Sequence, residues 1–233
     1  MKKVLLVMMK ISSWKMKKSV IAAVLLLGFF SALNAQIEAK IQQERVVPGA
    51  IFLHNGQEIA GYVKVGSLFN SEVIPPCLCD FQNIIYFIPK DVFENTPKID
   101  NRLYKSYKTK DISGYRFLDM EFESVKYADL SAVGPDMLSR WRFLRRIING
   151  KISVFYFYPL HSRSIEDGIL LCRKGQDGKI IRVKGGNGFK GIDMEKDWED
   201  CPYVKEKQAN GEYQGTELEI RLMAIEDYNT YCN

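Results

Sequence analysis

Fourteen uncharged, mostly apolar residues, Val20 to Leu33 (VIAAVLLLGFFSAL), follow Lys17-Lys18-Ser19 and run into Asn34-Ala35-Gln36. A basic start, an apolar stretch and a small residue at its end make up the order of a secretory signal peptide. The stretch falls short of the ~20 residues a helix needs to cross ~30 Å of hydrocarbon. It therefore reads as a cleavable signal over residues 1–35, with the cut after Ala35. Leu33 stands three positions before that cut, where a small residue is usual. Met16-Lys17-Lys18 repeats the basic opening Met1-Lys2-Lys3 and is the better natural start. No cysteine lies near the cut, so a bacterial lipid anchor is not indicated. The fold is then expected to be built by residues 36–233, without a membrane span, in the periplasm or outside the cell.

Removing the signal changes the charge. The full chain carries 33 Lys and Arg against 28 Asp and Glu, a formal +5. Residues 1–35 hold six of those lysines and no acid, so the mature chain has 27 against 28. A basic excess would invite a nucleic-acid or anionic-surface reading. Here the excess belongs to the export signal, and no nucleic-acid partner is expected. The remaining length suits one domain with a proper core, and no repeat or low-complexity tract interrupts it.

All five cysteines, Cys77, Cys79, Cys172, Cys201 and Cys232, fall in the mature region. Outside the cytoplasm they are disulfide candidates. Cys201–Cys232 is the favoured pair, since it staples the two ends of a C-terminal helical segment. Closing a loop of roughly 30 residues contributes about 3–4 kcal/mol in the chain-entropy relation. Cys77-Leu78-Cys79 places two thiols on one face of a strand, a spacing open to a metal or a redox pair. The plainer reading pairs one of them with Cys172 and leaves the other free. With only His54 and His161 as imidazoles, zinc is not favoured.

The period of the mature chain is mostly that of strands. Residues 49–65 read as a hairpin around Asn55-Gly56, a dipeptide suited to tight turns. Residues 83–88, 112–118 and 120–127 read as further strands, and 101–109 as a weak alternation. At Pro135 the period changes: Met137, Trp141, Leu144 and Ile148 recur at helical spacing, with Arg140, Arg142, Arg145 and Arg146 largely off the stripe. Pro135 and Gly150 suit the two ends of an amphipathic helix over 135–149. A strand apolar on both faces follows at 151–158, then a second hairpin, 168–173 with 179–184. Residues from about 189 are expected to be helical, with a start at Asp200-Cys201-Pro202 and a last helix over 216–231. The expected class is α+β. It comprises an antiparallel β-rich roll or open barrel to about 184, with an inserted amphipathic helix and a C-terminal helical segment.

Several short segments carry a resemblance. They are Asn34-Ala35-Gln36, Gly56-Gln57-Glu58-Ile59-Ala60-Gly61-Tyr62, Asp111-Ile112-Ser113-Gly114-Tyr115 and Phe143-Leu144 through Gly150-Lys151-Ile152 to Phe155-Tyr156. Asp200-Cys201-Pro202 and Tyr228-Asn229-Thr230-Tyr231-Cys232 complete the set. Spread over most of the mature chain, they resemble a family of exported proteins from Bacteroidetes with no established activity. The first hairpin departs from that pattern, which has an acid and then Thr where this chain has Gln57-Glu58. The resemblance implies an envelope or secreted location and transfers no catalytic residue.

The chemistry-bearing residues give candidates but no motif. There is no G-x-S-x-G elbow for a hydrolase serine. His54 sits in a hairpin turn and His161 in a loop. Lys184 to Gly191 is rich in glycine, yet no hydroxyl residue follows Lys190, so it is not a P-loop. Glu121 and Glu123 share a strand face, as paired carboxylates of a glycosidase could, and as an exposed strand would anyway. Asp193, Glu195, Asp197, Glu199 and Asp200 form an acidic patch without EF-hand spacing. No catalytic, cofactor or metal residue is assigned. The expected function is a non-enzymatic binding or structural module of the cell envelope, with a glycan or another envelope protein as partner. The alternative is a hydrolase acting on envelope or extracellular material through Glu121, Glu123 or His161. A redox role for Cys77 and Cys79 comes third.

Overall fold

The computed structural model describes residues 34–65, 78–128, 139–159, 168–176, 178–185, 191–194 and 196–232. The chain divides into two units, Met1–Arg45 and Val46–Asn233. In the first, residues 34–44 form a helix, α1, closed by Arg45 at a positive φ of 54°.

The second unit is built on an open antiparallel sheet of ten strands. In chain order these are β1 Val46–Phe52, β2 Glu58–Lys64, β3 Ile84–Pro89, β4 Lys105–Lys108 and β5 Gly114–Phe117. They continue with β6 Met120–Tyr127, β7 Arg140–Ile148, β8 Ile152–Phe157, β9 Ile169–Lys174 and β10 Ile181–Arg182. The spatial order is β10-β9-β8-β7-β6-β5-β1-β2-β3-β4, so β4 and β10 are its two edges. A short helix α2, Lys90–Asn95, follows β3, and two helices close the chain, α3 Pro202–Ala209 and α4 Glu217–Tyr231. The fold is mixed α+β with β dominant. Its strands follow the expected runs closely, and β8 is central, between β7 and β9.

The helix expected over 135–149 is corrected. Residues 140–148 are strand β7, paired along seven residues with β6 from Tyr127↔Arg140 to Glu121↔Arg146. A period of two coexists in this stretch with the helical one. Arg142, Leu144 and Arg146 lie on one face, and Trp141, Phe143 and Arg145 on the other. Phe143 and Leu144 are both fully buried, each in a different apolar cluster, which a strand allows and a one-sided helix does not. The residue read as a helix cap, Gly150, belongs to an Asn149-Gly150-Lys151 hairpin connection, the same Asn-Gly signal that joins β1 to β2. A bulge between Arg146 and Ile148 adjusts the register as β7 meets β8.

One face of the sheet buries two cores. Ile51, Val63, Ile85, Phe87, Tyr115, Phe122 and Phe143 meet a 3-10 turn, Leu78–Gln82, which presses Leu78 and Phe81 onto them. Farther along the same face, Ile152, Val154 and Cys172 pack against Trp198, Val204, Ala224, Ile225 and Tyr228 of the C-terminal segment. Thr216 caps α4 through a reciprocal pair with Glu219, its hydroxyl facing the Glu219 N–H and its own N–H facing the Glu219 carboxylate. Pro202 opens α3 in its first turn. Residues 196–200, where helix was expected from about 189, form turns. At the crossing of β1 and β2, Gly49 faces Gly61; a Cβ at Gly61 would run into the Ile88 carbonyl and the Phe87 ring.

Cys201 and Cys232 form a disulfide that joins the start of α3 to the end of α4, with Cα atoms 5.4 Å apart. Cys172 is a free, buried thiol, which corrects its expected pairing with Cys77 or Cys79. Its neighbours on β8 and in the C-terminal core are apolar. Cys79 is itself disulfide-bonded, and Cys77 lies outside the described residues.

Candidate functional site

Strand pairing gathers charge on the sheet face opposite the main cores. Because neighbours in register share a face, Glu121 and Glu123 of β6 stand beside Arg116 of β5 and Arg146 of β7. Arg146 donates through Nη1 to Glu123 Oε2 at 3.0 Å and through Nη2 to Glu121. From β9, Arg173 reaches over β8 and β7 and donates to Glu123 Oε1 at 2.7 Å. Its guanidinium lies over the Phe155 ring, 5.3 Å from the centroid. The series extends to Arg116, which pairs with Glu58 of β2 and lies over Phe52. The result is a ladder of alternating sign, Glu58, Arg116, Glu121, Arg146, Glu123, Arg173, running across five strands.

The central part of this ladder lines an open groove of about 540 Å³ together with Phe52, His54, Trp141 and Gln176. Two carboxylates and two guanidiniums make it electrically balanced. His54 is exposed at the rim, and its Nε2 lies 3.0 Å from the Lys110 carbonyl. A carbonyl only accepts, so Nε2 carries the hydrogen of this contact.

These pairings set what Glu121 and Glu123 can do. Both Glu123 oxygens are taken by guanidinium hydrogen bonds from two different strands. That arrangement fixes the orientation of the Glu123 carboxylate through two charge-assisted bonds. Arg142, expected on a solvated helix face, is instead buried and lies over the Phe157 ring at 5.2 Å. Arg145 is half-buried and reaches the Tyr158 hydroxyl at 3.4 Å. Phe155, Phe157 and Tyr158 are buried, as a central strand requires, and Tyr156 is half-buried.

The other candidates do not converge on this groove. Cys172 lies in the second core, where burial, reinforced by the Asp197 charge, pushes its thiol up to about 12. The acidic patch separates into local pairs. Asp193 meets Lys196, and Asp197 accepts from the Asp193 backbone at 2.6 Å. Asp200 accepts from Tyr228 Oη at 2.6 Å and from Lys174 Nζ at 2.9 Å, which together hold its carboxyl below the usual range. Among the described residues no group of three or more His, Cys, Asp and Glu is placed to hold a metal ion. Nor is any described helix long and apolar enough to cross a membrane. His161, Glu195 and most of the glycine-rich loop, 186–190, lie outside the described residues. Gly191, at the loop's end, bridges in parallel to Arg182.

Sequence reasoning missed Arg146 and Arg173 as partners of the two glutamates. The signal was present: Glu-x-Glu on one strand, with arginines one strand and three strands away in the sheet. It became readable only once 140–148 was known to be a strand. Comparison with known protein families, with curated proteins and with solved structures finds no match to this chain.

Proposed function

We propose that the chain is exported and that its mature domain is a non-enzymatic binding module of the cell envelope, whose polar groove takes a neutral glycan. The observation that carries this reading is the double engagement of Glu123 by Arg146 and Arg173. A fixed, charge-balanced set of planar donors and acceptors suits vicinal hydroxyl groups, and an ion would meet as much repulsion as attraction there. Phe52 and Trp141 at the same groove offer flat apolar surface for the carbon face of a sugar ring. The Cys201–Cys232 disulfide supports an oxidising compartment. Membership of the exported Bacteroidetes family and cleavage after Ala35 belong to the same reading. The hydrolase alternative is disfavoured by the same pairing, which engages both Glu123 oxygens and ties one Glu121 oxygen to Arg146.

Two measurements test it. Mass spectrometry of the protein recovered from the periplasm or medium should give an N-terminus at Gln36; recovery from the cytoplasm with residues 1–35 intact would refute export. Purified protein on an oligosaccharide array should retain neutral glycans and return them uncut. Release of shortened products would make the protein a hydrolase.

A further inference from the structure

We infer that a second cavity binds a single-chain anionic amphiphile: an apolar tail ending in a carboxylate or phosphate. The cavity, of about 490 Å³, lies where the end of β6 and the middle of β9 face residues 178–182. Its lining is mostly apolar, with Leu171, Ile180, Ile181 and the ring of Tyr127. Leu171 and Tyr127 are part of a buried cluster with Val125, Leu144, Phe155 and Phe157, so the floor is a rigid part of the sheet. The size falls in the ordinary range for small-molecule sites, about 300–1,000 Å³.

Charge at the mouth selects the ligand. Lys126 and Lys179 both line the cavity, both are exposed, and neither has an acidic partner among the described residues. Elsewhere on this domain Arg116, Arg146, Arg173, Lys174, Lys184, Lys207 and Arg221 hold carboxylates. Two uncommitted ammonium groups beside an apolar recess are complementary to a molecule with a buried tail and an anionic head. This site is separate from the polar groove, and neither reading depends on the other.

Isothermal titration of the purified protein with decanoate, decyl phosphate and 1-decanol tests the assignment. Both anions should bind at least tenfold more tightly than decanol, and should weaken as salt is raised. Affinity should fall about fourfold for each methylene removed from the tail. The preferred anion tells whether the natural head is a carboxylate or a phosphate. The double variant Lys126→Glu/Lys179→Glu, whose side chains are exposed, should melt as the parent does and lose at least tenfold in affinity for both anions. Ile180→Glu, which puts an acid into the recess, should lose binding as well. Equal binding of decanol and decanoate, no binding of any probe, or unchanged affinity in a folded double variant would each overturn the inference.

Discussion

Gln82 and Tyr158, 76 positions apart, exchange two hydrogen bonds in the buried interior: Gln82 Nε2 donates to the Tyr158 carbonyl at 2.6 Å, and the Tyr158 N–H donates to Gln82 Oε1 at 2.8 Å. The other end of β8 is held in the same manner. Asn229 of α4 donates to the Ile152 carbonyl at 2.9 Å and accepts from its N–H at 2.8 Å. Two side-chain amides therefore complete the backbone bonding of the central strand where its neighbours end. Gln82→Met keeps volume and removes both bonds, leaving a buried donor and a buried acceptor unsatisfied. The expected cost is about 2–4 kcal/mol, a fall in melting temperature of about 5–12 °C for a domain this size. A melt within 2 °C of the parent would show that the clamp adds nothing.

Glu123 carries two guanidinium groups, so its loss should exceed that of Glu121. Glu123→Ala removes the carboxylate partner of Arg173 and leaves Arg146 with Glu121 alone, and these arginine side chains are only 13% and 21% exposed. A loss of about 1–3 kcal/mol is expected, against under about 1 kcal/mol for Glu121→Ala, whose side chain is 42% exposed. Urea titration of both variants, with a double-mutant cycle through Arg173→Ala, measures the difference. The opposite ranking would remove the ladder as an organising element.

Burial makes Cys172 inert and the domain sensitive to alkali. Its thiol is held up to about 12 in the fold against an ordinary 9, and Tyr62, desolvated and bonded to Glu94, is likewise held up to about 12. A raised value in the folded state means the neutral form is favoured there. Stability from these groups is complete below about pH 9 and is lost as pH climbs toward 12. Iodoacetamide at pH 8 should leave Cys172 unmodified in the native protein and label it after unfolding. Cys172→Ala should flatten the alkaline arm of the stability curve. Native labelling at a rate near that of a free thiol would contradict the burial.

Cys201 and Cys232 stand 31 positions apart, and the disulfide between them ties α3 to α4 over the second core. Replacing both by Ser should cost about 3–4 kcal/mol. The loss should appear first as exchange of amide hydrogens in α3 and α4, with β1 to β6 still protected. Uniform loss of protection would place the two cores in a single cooperative unit.

Local chemistry was readable wherever a residue acts on its near neighbours. Asn55-Gly56, Pro202 after Cys201, and Thr216 with Glu219 each announced a turn or a helix start within a few residues. The stretch 140–148 was not readable in that way. Trp141, Leu144 and Ile148 satisfy a helical period, while Phe143 and Leu144 satisfy burial on two faces, and only pairing with β6 decides between them. Arg142 and Arg146 looked solvated for the same reason: their partners, Phe157 and Glu121 with Glu123, are distant in sequence and adjacent in the sheet. The candidate groove was half visible. Glu121 and Glu123 were found by their spacing, and Arg173 could not be, since its place beside them depends on how β9, β8, β7 and β6 line up in the sheet.

A neutral glycan held in the groove stabilises the folded domain by mass action. The direct test is a thermal-shift titration of the purified protein with neutral and acidic oligosaccharides, repeated with His54→Ala and Gln176→Ala, exposed groove residues outside the core. The account predicts that a neutral glycan at 100 times its dissociation constant raises the melting temperature by about 5–10 °C. Both variants should keep the parent melting point and lose most of that shift. A flat response to every neutral glycan, or an equal shift in both variants, would contradict it.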